Sequence, residues 1–350
     1  INDVKIITFS EWAFKVLGLV DYIYGDRYGE TEDKKDAYEY SKLRAIRLGS
    51  IPAWNKSIFK TLEGFYAPAF KLGDAKIFAT QKQEKKLDRF DLVVLLQSYF
   101  AKYKKFEIKR EYNTSINEKI VRKTEKTLVN YSLMIIDEFQ NYLPEQIRIL
   151  KNCVDSTTES IVYVGDMAQQ VKLGTIKNME DAGEVVSKDR NITLHKVYRN
   201  TKNILSFVKN LGYQVELPDG LKEGPIVLEK TADTIDEEIE HIKDHISRYA
   251  EGSIGILSKR EEHLVKFKKE FADFKNVHVL TMLEAQGVEF DWVCIVGVKK
   301  GAFSVVTGED MDQAHILERK KMQKDLLYVA LTRAITELHI LGTDKLDSVL

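Results

Sequence analysis

Two adjacent carboxylates, Asp137 and Glu138, close the apolar run Leu133-Met134-Ile135-Ile136 and lead into Phe139 and Gln140. Residue types in this order suit phosphate chemistry. In a nucleotide hydrolase the first carboxylate would hold Mg²⁺ near the phosphates, and the second would orient or polarise the attacking water. A surface Asp-Glu pair after a core strand is also common, so the pair alone favours chemistry only slightly. His241 and His245, four apart on an expected helix, could face one metal ion. That helix is dense in Glu and Lys and no third ligand is evident in the sequence, so both are read as surface residues. From Lys82 to Lys126 there are thirteen Lys or Arg against seven Asp or Glu, with Tyr99, Phe100, Tyr103, Phe106 and Tyr112 among them. Such a stretch could track phosphates and stack the bases of a single strand. Most of these aromatics are expected to form a small local core instead.

The elements that must position these groups follow from the hydrophobic pattern. An unbroken apolar run before Asp137 reads as a strand buried on both faces of a parallel sheet, whose ligands bind beyond the carboxyl ends. Val4 to Phe9 is a further apolar run of strand type, followed by a helical pattern at Trp12, Val16, Leu17 and Val20. Residues 21–126 differ in character, being rich in Tyr, Lys and Glu with helical patches such as Phe90 to Tyr103. A helix over Pro144 to Val154 precedes strands over Ile161 to Asp166 and Ile192 to Val197, and a helix carrying Ile204, Leu205, Val208 and Leu211. The Gly- and Pro-containing stretch from Gly212 to Gly224 marks a joint. Beyond it the alternation resumes. Strands are expected over 225–230, 253–258, 277–282, 292–298 and 337–342, with helices at Ile235 to Ile246, Glu261 to Phe274 and Glu318 to Ala334. Strands alternating with helices predict a parallel sheet, here twice over.

Composition sets outer limits. At 350 residues, 44% hydrophobic and 31% charged, the chain is long enough for two domains with real cores and is not of disordered type. The formal net charge of -1 predicts no partner by itself. Two distant cysteines, Cys153 and Cys294, suit a reducing compartment and give no disulfide framework. No apolar run reaches membrane-spanning length and no secretory signal is visible, so a cytoplasmic, intracellular protein without a membrane partner is expected. The chain opens at Ile1 without Met. A piece of something longer is therefore expected.

Five short motifs, each ending or following an expected element, stand in a telling order: DEFQ (137–140), GDMAQQ (165–170), YRNT (198–201), TMLEAQGVEFD (281–291) and YVALTRA (328–334). Together they resemble the motifs of superfamily 1 helicases of the UvrD/Rep/PcrA type. DEFQ is similar to that family's Walker B motif, and the opening TFSEW to its TFHS segment. The resemblance covers nearly the whole chain apart from residues 21–126. It implies an α/β fold of two RecA-like parallel-sheet domains. The first, residues 1–211, would lack its Walker A segment and carry a mostly helical insertion at about 21–126. The second, residues 212–350, would lack the large second insertion of UvrD-like enzymes.

By the same resemblance, ATP would sit between the two sheets. Asp137 would hold Mg²⁺ and Glu138 would activate water, while Gln140 and Gln169 would contact the γ-phosphate or that water. Arg199 and Arg333 would reach the γ-phosphate, Glu289 would accept a hydrogen bond from the ribose, and Gly287 belongs to the same nucleotide-binding motif. Thr8, Phe9 and Thr281 would touch single-stranded DNA, with 3′ to 5′ movement, and residues 21–126 could bind a protein partner. The sequence departs from the family in three places. No Gly is followed by Lys anywhere, so the GxxxxGKS/T loop would lie upstream of Ile1 and these residues alone are expected to bind ATP poorly. Leu283 and Gln286 replace the family's His and Lys. After GDMAQQ the DNA-stacking aromatic is missing. An ATP-dependent DNA helicase or translocase is expected, with an ATPase-inactive scaffold or an adaptor subunit for a nuclease or polymerase as alternatives.

Overall fold

The threonine of TFSEW is a helix cap before it is anything else. Thr8 Oγ1 accepts from Glu11 N and Glu11 Oε2 accepts from Thr8 N, both at 3.2 Å, the reciprocal box that starts α1 (Phe9–Leu17). Residues 4–8 accordingly form no strand. They pair with no described strand, and Ile6 is 99% exposed, so the expected opening strand is corrected to an extended lead into α1. The structure is a computed structural model and describes residues 4–116, 119–194, 199–248, 252–305 and 313–349. It divides into two units, one of Ile1–Gly165 with Gly174–Val185, the other of Asp166–Leu173 with Val186–Leu350.

In the first unit, β1 (Ile23–Tyr24), α2 (Glu32–Leu48), α3 (Ile58–Tyr66), α4 (Leu72–Gln83), β2 (Lys86–Leu87) and α5 (Arg89–Tyr103) follow α1, with β1 and β2 paired in parallel. Phe90 and Leu92 to Leu96 of α5 are all fully buried. A helix apolar all round must lie inside its neighbours, and α1, α2, α3 and α6 (Pro144–Lys151) pack against it. Asp88 caps α5, its Oδ1 accepting from Phe90 N at 3.0 Å and Asp91 N at 3.1 Å. The same aspartates hold a buried cation. Lys42 Nζ, wholly buried, donates to Asp88 at 2.6 Å, to both oxygens of Asp91 at 2.8 and 2.9 Å, and to Gln81 at 3.0 Å.

The stretch expected to be mostly helical ends in an antiparallel hairpin of β3 (Glu107–Ile116) and β4 (Lys119–Leu128). Charged runs such as Lys109-Arg110-Glu111, Arg122-Lys123 and Glu125-Lys126 break the two-residue period, so the sequence carries no clear strand signal here. Phe106 stacks on Phe100 at 5.2 Å and meets Trp12 edge-on at 5.6 Å, so these aromatics are core, while Tyr103 and Tyr112 stay exposed.

β5 (Met134–Ile136) and β6 (Ile161–Tyr163) pair in parallel as a two-stranded sheet. Ile136 is buried, but Leu133 and Ile135 are 55% and 63% exposed, and Val162 and Val164 are exposed too. The expectation of burial on both faces is thus corrected. Two strands cover one another's edges, not their faces.

The second unit comprises α7 (Lys202–Asn210), β7 (Leu228–Thr231), α8 (Ile235–Arg248), β8 (Ile254–Ser258), α9 (Glu261–Glu270), β9 (Val277–Thr281), β10 (Phe290–Val298), α10 (Gln313–Thr332) and β11 (Ala334–Gly342). Its five strands run parallel in the order β7-β11-β10-β8-β9. Trp292, Cys294, Val296 and Leu341 pack against Ile239 and Ile242 of α8 and Leu264 and Phe267 of α9. Val293, Ile295, Leu338 and Ile340 pack against Ile204, Leu205 and Val208 of α7 and Leu327, Ala330 and Leu331 of α10. Burial on both faces is why these strands read as continuous apolar runs. This mixed α/β arrangement fits a RecA-like helicase core.

Two expectations change here. The expected boundary at 211 gave α7 to the first domain, whereas its apolar face completes the core of the second unit. Ile192 to Leu194, expected to begin a strand, have no regular structure and Ile192 and Leu194 are 84% and 90% exposed. The rest of that segment, 195–197, lies outside the described residues, as does Tyr198 of YRNT.

Candidate nucleotide and nucleic-acid site

In the first unit, DEFQ turns sharply off the carboxyl end of β5. Glu138 has φ 50° and ψ 38°, left-handed and costly for a residue with a Cβ, and leads into a 3₁₀ turn over Phe139–Asn141. Local bonds hold the bend. Glu138 N donates to Asp137 Oδ1 at 3.0 Å, Gln140 Nε2 donates to Glu138 Oε2 at 2.6 Å, and Phe139 N donates to Val164 O at 3.1 Å. Asp137 and Glu138 face solvent while Phe139 and Gln140 are buried beneath them. The result is a pair of exposed carboxylates on a buried footing.

The end of β6 closes against this turn at Gly165. A Cβ there would run into Gln140 Oε1 and come within 2.8 Å of Phe139 Cδ1. Glycine is therefore required by close approach, a reason the GDMAQQ spacing alone does not reveal. Phe9 joins the same neighbourhood, its ring edge-on to Tyr142 at 6.0 Å. Burial, with the Asp137 charge adding to it, pushes the Tyr142 phenol above its ordinary range. Thr8 spends its hydroxyl on the α1 cap.

In the second unit, three sequence motifs meet. Arg333, buried where α10 gives way to β11, donates from Nε to Val329 O at 3.1 Å and from Nη2 to Gln169 Oε1 at 3.2 Å. Gln169 is itself fixed by Asp166, its Nε2 donating to Asp166 Oδ2 at 2.8 Å. The adjacent Gln170 accepts from Lys321 Nζ at 2.9 Å, and Lys321 also pairs with Asp325. Burial raises the Asp325 carboxyl, against the pull of Lys321.

Gly287 has φ 80° with nothing near the position of a Cβ, so its need for glycine is conformational. It aims Glu289 to the start of β10, where Glu289 pairs with Arg199. Arg199 is otherwise open, its side chain 67% exposed. Phe290 N donates to Arg333 O at 2.9 Å, which places Glu289 and Arg333 at the same, amino-terminal edge of the sheet. Thr281 stands apart. It ends β9 at the carboxyl edge, where its N and Oγ1 both donate to Glu284 Oε2, at 2.8 and 2.9 Å.

The structure thus brings together Asp137, Glu138 and Gln140 in one unit, and Gln169, Arg333, Glu289 and Arg199 in the other. Asp166 and Gly165 do structural work that motif reading alone left unassigned. The donor set can be tested against a nucleotide and its metal ion. Exposed carboxylate oxygens are the hard donors Mg²⁺ takes, and a buried guanidinium suits a phosphate.

The family profile of the viral superfamily 1 RNA helicase core domain matches residues 92–342. None of the curated proteins matches the chain. Among solved structures, the C-terminal domain of a possible DNA helicase from Lactobacillus plantarum WCFS1 is 18% identical, covering 42% of this chain and 88% of that one. Its TM-score of 0.31 is too low to carry an argument. With most of its length matched by that profile, the chain belongs to the viral superfamily 1 RNA helicase core domain family.

Proposed function

We propose that this helicase-family chain is the core of an ATP-dependent motor that moves 3′ to 5′ along single-stranded DNA. The observation that carries the reading is the hydrogen bond from Arg333 to Gln169, 164 positions apart in the chain. It ties the YVALTRA and GDMAQQ motifs into one unit, as coupling of hydrolysis to movement requires. A buried guanidinium keeps its charge at any working pH and acts more strongly on phosphate where water is excluded.

In this reading Asp137 holds Mg²⁺, which when bound neutralises phosphate charge. Glu138 orients the attacking water, and Gln140 fixes the Glu138 carboxylate through their 2.6 Å bond. Arg199 takes the γ-phosphate and Glu289 the ribose, so their mutual ion pair must part when nucleotide binds. Thr8, Phe9 and Thr281 contact the strand. Because both threonine hydroxyls are engaged in local turns, those contacts draw on backbone and ring surface. The UvrD-type motifs favour DNA, whereas the matched family is described for RNA helicases.

Displacement of streptavidin from biotinylated single strands of DNA and RNA tests this on the natural full-length polypeptide. ATP-dependent release from the 5′ end of DNA, abolished in Arg333→Ala, is expected. Release from RNA alone would reassign the substrate, release from the 3′ end would reverse the polarity, and no release from any strand would remove the motor.

A further inference from the structure

One cluster in the second unit has no part in nucleotide chemistry. His241 and His245 lie one turn apart on α8, and Glu337 and His339 lie two apart on β11, on the sheet face that α8 covers. Helical and strand periods therefore aim four polar side chains at one another. His339 Nε2 and Glu337 Oε1 are 2.8 Å apart, His245 Nε2 and Glu337 Oε2 3.4 Å, and His241 Nε2 and His339 Nδ1 3.1 Å. The His245 ring also lies against Trp292 of β10, centroids 4.1 Å apart and tilted by 39°. Among the described residues, His245, Glu337 and His339 are the one group whose ligand atoms all lie within 4.8 Å of one another. The expectation that the α8 pair has no third ligand is corrected: the partners come from β11, more than ninety positions later.

We propose that His245, Glu337 and His339 form a binding site for a divalent transition-metal ion, best matched by Zn²⁺, with His241 as the positioning residue of His339. Zinc bound tetrahedrally at about 2.0–2.2 Å sets its ligand atoms roughly 3.3–3.6 Å apart, within the spread seen here. Two imidazoles and one carboxylate select zinc-like ions over Mg²⁺ or Ca²⁺, which prefer oxygen. His339 is anchored by sheet pairing on both sides, to Cys294 and to Leu228. His241 Nε2 meets its Nδ1, with Lys230 Nζ 3.3 Å from the far nitrogen of the His241 ring, and its Nε2 now bonds Glu337 Oε1, so an ion there would displace the proton those two share. Side chains 11% and 23% exposed at His245 and Glu337 leave access for the ion and a water.

The test is a Co²⁺ titration of the chelator-stripped protein, followed by absorption and by displacement with Zn²⁺. One ion per chain is expected, with the visible bands of a four-coordinate nitrogen and oxygen site and no thiolate charge-transfer band. Glu337→Gln and His245→Gln should each weaken binding at least tenfold. His241→Gln should weaken it about tenfold with the stoichiometry kept. Absence of saturable uptake, a thiolate band, or unchanged affinity in folded His245→Gln protein would overturn the assignment. The unsubstituted protein's spectrum decides the matter even if a variant fails to fold.

Discussion

Replacing Gly165 by Ala asks whether the two strand-end loops of the first unit act as one piece. The added Cβ would overlap Gln140 Oε1 and sit 2.8 Å from Phe139 Cδ1 and 3.2 Å from Gln140 Cδ. Gln140 is fully buried and bonded to Glu138, so moving its amide away would break that bond. Gly165 is not among the glycines with left-handed backbone, so the effect is steric and not conformational. Overpacking of this kind costs about 1–3 kcal/mol. For a unit of this size, at about 2–4 °C per kcal/mol, the melting temperature should fall by roughly 2–12 °C. Gln140→Ala removes the larger clash at the expense of its own bond to Glu138. The double variant should therefore be more stable than the two single effects predict, by about 1 kcal/mol or more. Thermal unfolding of all four proteins reads this directly. Strict additivity, or no change in Gly165→Ala, would refute the close-approach reasoning.

Lys42→Met should cost about 3–5 kcal/mol, because it strands Asp88 and Asp91 in the core without their cation. Burial, with Asp91 beside it, already pushes the Asp88 carboxyl up despite Lys42, and without Lys42 it rises further. The folded state then holds protons that an unfolded carboxylate, with a pKa of about 4, releases, so stability falls as pH rises above that value. Urea titrations should show a smaller deficit at pH 5 than at pH 8; equal deficits would count against the buried ion cluster. Arg333→Gln should lower nucleic-acid-stimulated ATP turnover by roughly 10³–10⁵-fold with the fold intact, as for loss of an arginine finger; a change under tenfold would make Arg333 a structural residue only. Burial pushes the Cys153 thiol up to about 12 and the Cys294 thiol well above its ordinary range. Neither should react with a disulfide reagent at pH 8 until the protein unfolds, and rapid labelling of the native protein would contradict their placement.

The second unit was the more legible of the two. Each of its central strands is covered on both faces, so Ile254 to Leu257 and Trp292 to Val298 carry no obligatory polar positions and read as strands at sight. The apolar residues before α1 suggested a strand, and the Thr8–Glu11 capping box went unread in the sequence. No described strand is available to pair with them, and the cap decided the outcome. The hairpin β3–β4 stayed hidden because charged side chains fill adjacent positions on both strands, whose described residues are mostly exposed, so no apolar face marks it. Long-range polar clusters left no trace at all. Lys42 meets Gln81, Asp88 and Asp91 from 39 to 49 positions away, and His245 meets Glu337 and His339 from 92 and 94. Spacing rules see one helix or one strand, whereas these clusters need the tertiary fold to exist. DEFQ and the Gly165 end of GDMAQQ were easier to place, since they follow β5 and β6, which the apolar pattern locates.

ATP hydrolysis by the natural full-length polypeptide, with and without single-stranded DNA or RNA and beside a Glu138→Gln variant, tests the central claim most directly. Turnover that a single strand stimulates, and that Glu138→Gln abolishes while nucleic-acid binding persists, is the predicted result. Strand binding with no hydrolysis in the unsubstituted protein, or hydrolysis unaffected by Glu138→Gln, would contradict it.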